Sequence, residues 1–306
     1  IKGAPHIEFE EGRALEIAKE IVKRAIDRFP ERGETNIPTN ARASLIPGFS
    51  HEYIDYALGG FYRGSLRPLN DAIIAGRIRG VVANIGCNNP RVCHDSLHDY
   101  VVPEFLKNDI LVVETGCGAI ASAKMGLMVP EAAMEYAGPG LREICDTVGI
   151  PPVLHMGSCV DNSRILTVLS QMATEGGLGD DICDIPAVGM APEWMSEKAL
   201  AIATYCVASG AYVILGGSTG PVSGSEEVLR LMDEGWQSKT GGKLHFIEDA
   251  KEIVKRTIEH IDKKRADLGL AEYDASKWDQ VGDSRMLEIV ELPLEERLEA
   301  VYGGGK

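Results

Sequence analysis

Five segments of this sequence follow one pattern, and that pattern limits the folds open to the chain. In each, a short apolar stretch leads into a loop of small residues and then into a stretch with helical spacing of its apolar residues. Strands that alternate with helices of ~10–15 residues are typical of βαβ units, whose parallel strands carry helices on both faces of the sheet. The apolar stretches are residues 78–86, 109–116, 150–158, 184–194 and 211–217. The sequence therefore predicts an α/β fold built on a parallel sheet.

The segments outside this repeat complete the predicted architecture. Apolar residues at helical spacing predict a helix over 11–29, and residues 43–60 predict a short strand, a turn and a helix. From about residue 274 the chain is charged and lacks a strand pattern. We therefore predict a Rossmann-like α/β domain over residues 1–273, in the architectural sense of the term. A charged C-terminal extension over residues 274–306 is expected to pack on this domain or on a neighbour.

Composition and charge exclude several classes of partner. The chain has 306 residues, of which 44% are hydrophobic, enough for a large core. Its formal net charge of -15 argues against nucleic acid and anionic membranes, which bind clustered Lys and Arg. No apolar run approaches the ~20 residues that a membrane span needs. Seven cysteines without close pairing favour a reduced, cytoplasmic protein over a secreted disulfide framework.

The first residues of the chain give one further expectation. They read IKGAPHIEFEEG, with no Met and no targeting pattern. We therefore expect the chain to be a piece of a longer polypeptide.

Three cysteines occupy equivalent places in the repeat. Cys87, Cys117 and Cys159 each follow an apolar strand, in NIGCNN, ETGCGA and HMGSCVD. Because ligands of open parallel sheets bind beyond the carboxyl ends of the strands, thiols at three such ends would lie on one edge and converge if the strands are neighbours. Their spacings of 30 and 42 residues differ from the CxxC pairs of zinc sites. Soft thiolates select iron–sulfur clusters, zinc or copper(I), so we predict a thiolate metal site.

The residues around these cysteines support metal binding. Gly86 and Gly116 precede two of them, and this lets the backbone approach a bulky ligand. Cys117 and Cys159 also lie where helices are predicted to begin, and the peptide dipoles there favour the thiolate. Lys198, in APEWMSEKALAI, opens a helix at the same edge. It would either act on a metal-bound group, electrostatically or by proton exchange, or be a solvated lysine of a first helical turn.

The remaining candidate residues carry weaker signals. Cys145, Cys183 and Cys206 lie within helices or linkers and are interpreted as small buried hydrophobic residues. Cys93, beside His94 at a predicted helix start, is intermediate. The loop LGGSTGPVSGS, residues 215–225, matches neither dinucleotide nor Walker A patterns and is interpreted as a lid or contact loop.

Five motifs of the chain resemble the carboxy-terminal domain of the anaerobic nickel–iron carbon monoxide dehydrogenases. They are GCNNPRV, TGCGAIASAKMGLM, AGPGLREIC, PPVLHMGSCVDNSR and APEWMSEKALAI. The resemblance covers roughly residues 40–270, and HMGSCVDNSR and MSEKA are quite specific. The C-terminal stretch ELPLEERLEAVYGGGK departs from the shorter bacterial enzymes. It is closer to the archaeal form, the alpha subunit of the acetyl-CoA decarbonylase/synthase complex.

The resemblance implies an activity, a cofactor and roles for four residues. Members of the family interconvert CO + H2O and CO2 + 2 H+ + 2 e- at a Ni–4Fe–4S cluster of the C-cluster type. One histidine and five cysteines hold that cluster. Carried over by motif, Cys87 and Cys117 would bind iron, and Cys159 would bind nickel. Lys198 would hydrogen-bond the bound CO2 or hydroxide and help to move protons.

The resemblance also implies parts that are not found in this sequence. The cluster histidine, two further cysteines and the motifs for additional 4Fe–4S clusters belong upstream, and His51 in GFSHEY does not lie in the histidine-ligand motif. The chain is thus expected to hold half of the ligands, to be inactive alone, and to act with the N-terminal half of its subunit. The family suggests a homodimer within a larger acetyl-CoA decarbonylase/synthase complex and a ferredoxin-type electron acceptor.

Two other functions stay open from the residues alone. A hybrid-cluster or hydroxylamine-reductase-like iron–sulfur protein would bind iron without nickel. A non-catalytic Rossmann-like interaction domain would bind no stoichiometric metal, and would keep its stability when Cys87, Cys117 and Cys159 are changed to Ala.

Overall fold

The computed structural model describes residues 6–36, 42–60, 64–216, 222 and 224–278. The chain divides into two compact units, Ile1–Arg42 and Ala43–Lys306. The first unit contains helix α1, Ala14–Arg28, preceded by a 3-10 turn at Glu11–Arg13. This confirms the helix predicted over 11–29. Among the described residues, no helix is both long enough and apolar enough to span a bilayer.

The second unit is organised around a parallel sheet. Within the described residues it has six strands in the order β3-β2-β1-β4-β5-β6, all pairing in parallel. The strands are β1 Gly80–Gly86, β2 Ile110–Thr115, β3 Val153–Gly157, β4 Ala187–Ala191, β5 Tyr212–Gly216 and β6 Lys243–Ile247. All five strands of the repeat are therefore confirmed, as is the α/β class. The sixth, β6, was missed because KLHFI has a single buried position and no continuous apolar run.

Helices connect the strands and cover the sheet. They are α2 His51–Gly59, α3 Arg67–Ala75, α4 Ser96–Lys107, α5 Gly116–Lys124, α6 Ala132–Tyr136, α7 Pro139–Val148, α8 Asn162–Glu175, α9 Glu197–Ala208, α10 Glu226–Arg230, α11 Trp236–Thr240 and α12 Ala250–Asp267. A π-helical turn, Leu231–Gly235, joins α10 to α11. The strands contribute fully buried apolar side chains to the core, as expected of a sheet that is covered on both faces.

The segment before α2 differs from its prediction. In the described residues 42–60, the expected short strand is a single parallel bridge between Pro47 and His155, although the expected helix is present as α2. Pro47 has no N–H to donate to a strand ladder. The backbone N–H groups of Gly48 and Phe49 instead both donate to the carbonyl of His155. The segment thus covers the edge of β3 without extending the sheet.

Two predictions fall partly outside the described residues. The loop over 215–225 is one of them, because residues 217–221 and 223 are not described. Of the extension predicted from residue 274, only the part up to Trp278 is described, and the indole Nε1 of Trp278 donates to the carbonyl of Gly76 at 2.9 Å. The boundary at 273/274 stays a prediction.

The strand order defines where a ligand would bind. The chain leaves β1 toward β2 and β3 on one side, and then crosses back to form β4 on the other side of β1. At such a reversal, the loops that follow β1 and β4 diverge and leave a crevice beyond the carboxyl ends of the strands. This crevice is the place to look for a functional site.

Candidate metal centre

Three strand-end cysteines line a single cavity. Cys87 follows β1, Cys117 is the second residue of α5, and Cys159 opens the short turn between β3 and α8. All three border a cavity of about 860 Å³. Since β3, β2 and β1 are neighbours, their carboxyl ends present these loops side by side. The structure thus brings the three predicted residues together.

Glycines allow the three loops to pack this closely. A β-carbon built on Gly116 would lie 2.9 Å from the Sγ of Cys159 and 3.0 Å from the carbonyl oxygen of Gly86. Gly116 also has a φ of 64°, a left-handed conformation that favours glycine. A β-carbon on Gly86 would lie 1.7 Å from the backbone nitrogen of Gly118. The close neighbours that these glycines admit are protein backbone and, at Gly116, the Cys159 sulfur, whereas the sequence suggested a ligand.

Cys87 and Cys117 are harder to ionise than free thiols, and for Cys117 this is opposite to the effect expected from the helix dipole. Burial raises the pKa of the Cys87 thiol, and the nearby Cys159 raises it further. Burial also raises the pKa of Cys117, and the charges of Cys159 and Cys87 add to the effect. Bringing thiolates together is unfavourable without a compensating positive charge, so this arrangement is suited to a cationic ligand.

The fourth predicted residue lies at the same cavity. Lys198 is the second residue of α9 and lines the cavity together with the three cysteines. The loop before α9 also acts on Cys87, because the backbone of Met195 lowers the pKa of that thiol and so opposes the effect of burial. Both α9 and its preceding loop therefore contribute to the wall on the β4 side.

Side chains that the sequence analysis missed join the two sides of the crevice. The side-chain amide of Asn88 donates to Asp95 at 2.7 Å and to the buried Glu193 at 3.1 Å. The amide of Asn89 donates to the carbonyl of Trp194 at 2.8 Å. The two asparagines after Cys87 thus attach the β1 loop to the β4 loop. The Asn-Asn pair was a visible signal, but its partners across the crevice are distant in sequence.

The other candidate residues do not lie at the carboxyl ends of the strands, although Cys206, within α9, also borders the cavity. Cys145 and Cys206 are buried and Cys183 is partly buried, which fits their interpretation as structural residues. Cys93 is exposed and precedes α4 without lining the cavity. His51 lies at the start of α2, and its Nδ1 is 3.2 Å from the carboxylate Oε2 of Glu52.

The cavity fits a polynuclear sulfur-ligated cluster better than a single ion. Across the described parts of the chain, no three His, Cys, Asp or Glu side chains are placed to hold one metal ion. Cysteines that each bind a different metal of one cluster do not need to meet at a point. The buried Asn162, which also lines the cavity, has a side-chain amide nitrogen without a hydrogen-bond partner in the structure. Buried donors normally have partners, so this one indicates space for an acceptor such as cluster sulfur.

A buried carboxyl group lies three residues before Cys117. Glu114, in the middle of the sheet, is completely buried, and this burial raises its pKa to about 8 against the lowering effect of the hydrogen bond from Asn84. The unfolded chain releases this proton near the ordinary value of 4.5, whereas the folded chain keeps it until about pH 8. The unfolded state therefore binds fewer protons in this window, and stability falls as the pH rises through it.

We expect Glu114→Gln to remove this pH dependence. Between pH 5 and 8 the wild-type chain should lose up to about 1.4 kcal/mol per pH unit relative to the variant. Urea unfolding at several pH values measures the difference. Glu272→Gln, at an exposed position, is the matched control, and the pH dependence of its unfolding free energy should equal that of the wild type. Parallel curves for Glu114→Gln and the wild type would contradict the expectation.

Comparison with known proteins places this site in a family. The model of the Prismane/CO dehydrogenase family matches residues 1–251, most of the chain. This chain belongs to the Prismane/CO dehydrogenase family. The resemblance expected from the cysteine motifs is thereby confirmed.

Individual members of the family extend the comparison. Carbon monoxide dehydrogenase 1 of Methanosarcina mazei is 47% identical over 270 residues, which are 88% of this chain and 42% of that protein. The carbon monoxide dehydrogenase of Rhodospirillum rubrum is 39% identical over 280 residues, 88% of this chain and 43% of that protein. The structure of Ni-free carbon monoxide dehydrogenase from Thermococcus sp. AM4 superimposes with a TM-score of 0.80 at 47% identity, covering 89% of this chain and 42% of that one. The chain thus spans less than half the length of these relatives.

Proposed function

We propose that this chain forms one wall of the active site of a nickel–iron carbon monoxide dehydrogenase, which interconverts CO + H2O and CO2 + 2 H+ + 2 e-. The observation that carries the proposal is the meeting of Cys87, Cys117, Cys159 and Lys198 at one cavity. Membership in the family and 35–47% identity to carbon monoxide dehydrogenases support the same reaction.

The cysteines would hold a Ni–4Fe–4S cluster. Cys87 and Cys117 would bind iron, and Cys159, on the neighbouring loop, would bind nickel. The bound cluster would supply a redox-active metal site for CO and for activation of water. The Asn162 amide would donate a hydrogen bond to cluster or cysteine sulfur.

Lys198 would stabilise negative charge on the substrate and transfer protons. Its ammonium, on the residue that shares the cavity with the thiols, would donate hydrogen bonds to the oxygens of CO2 and so stabilise the negative charge that develops on them. The same Nζ atom would take up and release the protons of the reaction. The mostly apolar lining behind the thiols would keep bulk water away and admit a small apolar gas.

The rest of the enzyme would come from outside this chain. We propose that the upstream part of the same subunit supplies the histidine, the other two cysteines and the additional 4Fe–4S clusters, in agreement with the 42% coverage of the relatives. On its own, the chain should then bind the cluster poorly and be inactive. A homodimer within an acetyl-CoA decarbonylase/synthase complex, a ferredoxin-type acceptor and a cytoplasmic location complete the proposal.

Anaerobic analysis for nickel, iron and acid-labile sulfide tests this proposal. It should be run on the 306-residue chain and on a longer polypeptide that includes the upstream part of a relative. We expect nickel and iron in the long form and little of either in the short form. Iron without nickel in the long form would favour the hybrid-cluster alternative. Zinc or no metal in both forms would contradict a cluster-binding role.

A further inference from the structure

A buried histidine connects the loops that carry Cys87 and Cys117. His98, the third residue of α4, is completely buried, and its Nε2 lies 3.0 Å from the carbonyl oxygen of Cys87. A carbonyl oxygen only accepts hydrogen bonds, so Nε2 carries the hydrogen and donates it. A β-carbon built on Gly118, the residue after Cys117, would lie 3.3 Å from the Cε1 of His98. The ring thus packs between the backbone of Cys87 and that of Gly118, which follows Cys117.

The other ring nitrogen joins His98 to the sheet. Nδ1 lies 3.2 Å from the side-chain oxygen of Asn84 in β1, which also only accepts, so this contact is a hydrogen bond when Nδ1 carries a hydrogen as well. The amide of Asn84 donates in turn to Glu114 at 2.5 Å, across the β1–β2 register pair that these residues form. Asn84 and Glu114 are also completely buried. The chain of contacts therefore runs from the Cys87 carbonyl to the buried β1–β2 pair of the sheet.

Such a series of buried polar contacts costs free energy inside an apolar core. Buried polar groups are unfavourable unless they are paired, and a partly paired network is worse than an apolar replacement. Its outer end contacts the backbone of Cys87, in a loop that also bonds across the crevice through the side chains of Asn88 and Asn89 and the backbone N–H of Asp95. The function that matches this placement is control of the Cys87 loop.

We propose that His98 is a positioning residue, which fixes the Cys87 peptide to the sheet and so holds the thiol at the cavity wall. The inference rests on the proposed function, in which Cys87 is a cluster ligand. The hydrogen bond from Nε2 to the Cys87 carbonyl holds the peptide in place, and the contact of Nδ1 with Asn84 sets the orientation of the ring.

Two variants with side chains of similar shape test the roles of Nε2 and Nδ1 separately. The amide nitrogen of His98→Gln reaches the position of Nε2 and can still donate to Cys87. The shorter side chain of His98→Asn replaces only Nδ1 and leaves the Cys87 carbonyl unbound. We expect the loop of the Asn variant to open more often, so that iodoacetamide alkylates Cys87 about tenfold faster than in the wild type. The Gln variant should stay within about twofold of the wild type.

Peptide mass spectrometry of the metal-free 306-residue chain measures these rates at each cysteine. Cys159, which is exposed and lies in the turn after β3, serves as the reference thiol, and the completely buried Cys145 reports opening of the whole fold. Faster reaction at Cys87 alone, in the Asn variant but not in the Gln variant, supports the proposal. Equal rates at Cys87 in the Asn variant and the wild type would overturn it. Equally fast alkylation of Cys87 in both variants would also overturn it. The same holds if Cys145 is alkylated as fast as Cys87, since His98 would then stabilise the whole core and not the Cys87 loop in particular.

This measurement is independent of the cluster. The alkylation rates need no metal, so their failure concerns His98 alone. The metal content of Cys87→Ala in the long polypeptide tests whether Cys87 is a ligand. An unchanged iron content in that variant would show that Cys87 is not a cluster ligand. The alkylation result would then still show that His98 positions the Cys87 loop.

Discussion

Replacing Cys159 with alanine in the long polypeptide is expected to abolish CO oxidation while the fold persists. Cys159 lies on an exposed turn at the cavity, so its side chain contributes little to the core. In the proposed function it is the nickel ligand, and without it nickel should be lost while the upstream 4Fe–4S clusters remain. CO-dependent reduction of a viologen dye measures the activity, and elemental analysis measures the nickel.

Cys93→Ala is the matched control for this variant. Cys93 is also exposed, but it does not line the cavity, so its replacement should leave activity and nickel unchanged. Retention of CO oxidation by Cys159→Ala would show that the nickel-ligand assignment is wrong. Loss of activity in both variants would point to a general sensitivity of the fold.

Replacing Gly86 with alanine should be among the most destabilising single changes in the chain. The new β-carbon would lie 1.7 Å from the nitrogen of Gly118 and 2.6 Å from the carbonyl carbon of Cys117. Both are backbone atoms, so no side chain can rotate away, and β1 and α5 must move apart. We expect a loss of about 3 kcal/mol or more in the free energy of unfolding. Metal binding should fall as well, because Cys87 follows β1 and Cys117 lies in α5, the two segments that separate.

Gly189→Ala provides the comparison. Gly189 lies within β4, and its added β-carbon would meet ordinary contacts only, at 3.6 Å from the Cγ2 of Val213. Its unfolding free energy, measured in urea, should stay within about 1 kcal/mol of the wild type, with a small gain from reduced backbone entropy of the unfolded chain. Similar losses for Gly86→Ala and Gly189→Ala would contradict the close-approach argument.

Much of the candidate site could be predicted because it follows from a general property of parallel sheets. Apolar runs before Cys87, Cys117 and Cys159 identify buried strands, and parallel strands end at one edge. The helix that carries Lys198 follows a fourth such run. The strand predicted near Pro47 was wrong because a short apolar run does not show whether its N–H groups will find a ladder partner.

The residues that support the site could not be predicted in the same way. Glu193 and Asn88 are 105 positions apart, and they meet only because β4 returns to the side of β1. His98 has the sequence context of an ordinary polar residue near a helix start, yet it is fully buried against Cys87. Local pattern contains no information about such contacts between distant segments.

By itself the sequence determined the strand–helix alternation, the α/β class and the placement of three thiols after strands, because these depend on local periodicity and on the chirality of βαβ units. The tertiary structure decided which strands are neighbours, that β1 and β4 form the reversal point, and that the thiols share one cavity. It also decided that Gly86 faces protein backbone and that His98 holds the Cys87 carbonyl. These features depend on close packing between segments far apart in the chain, where fractions of an ångström determine which atoms meet.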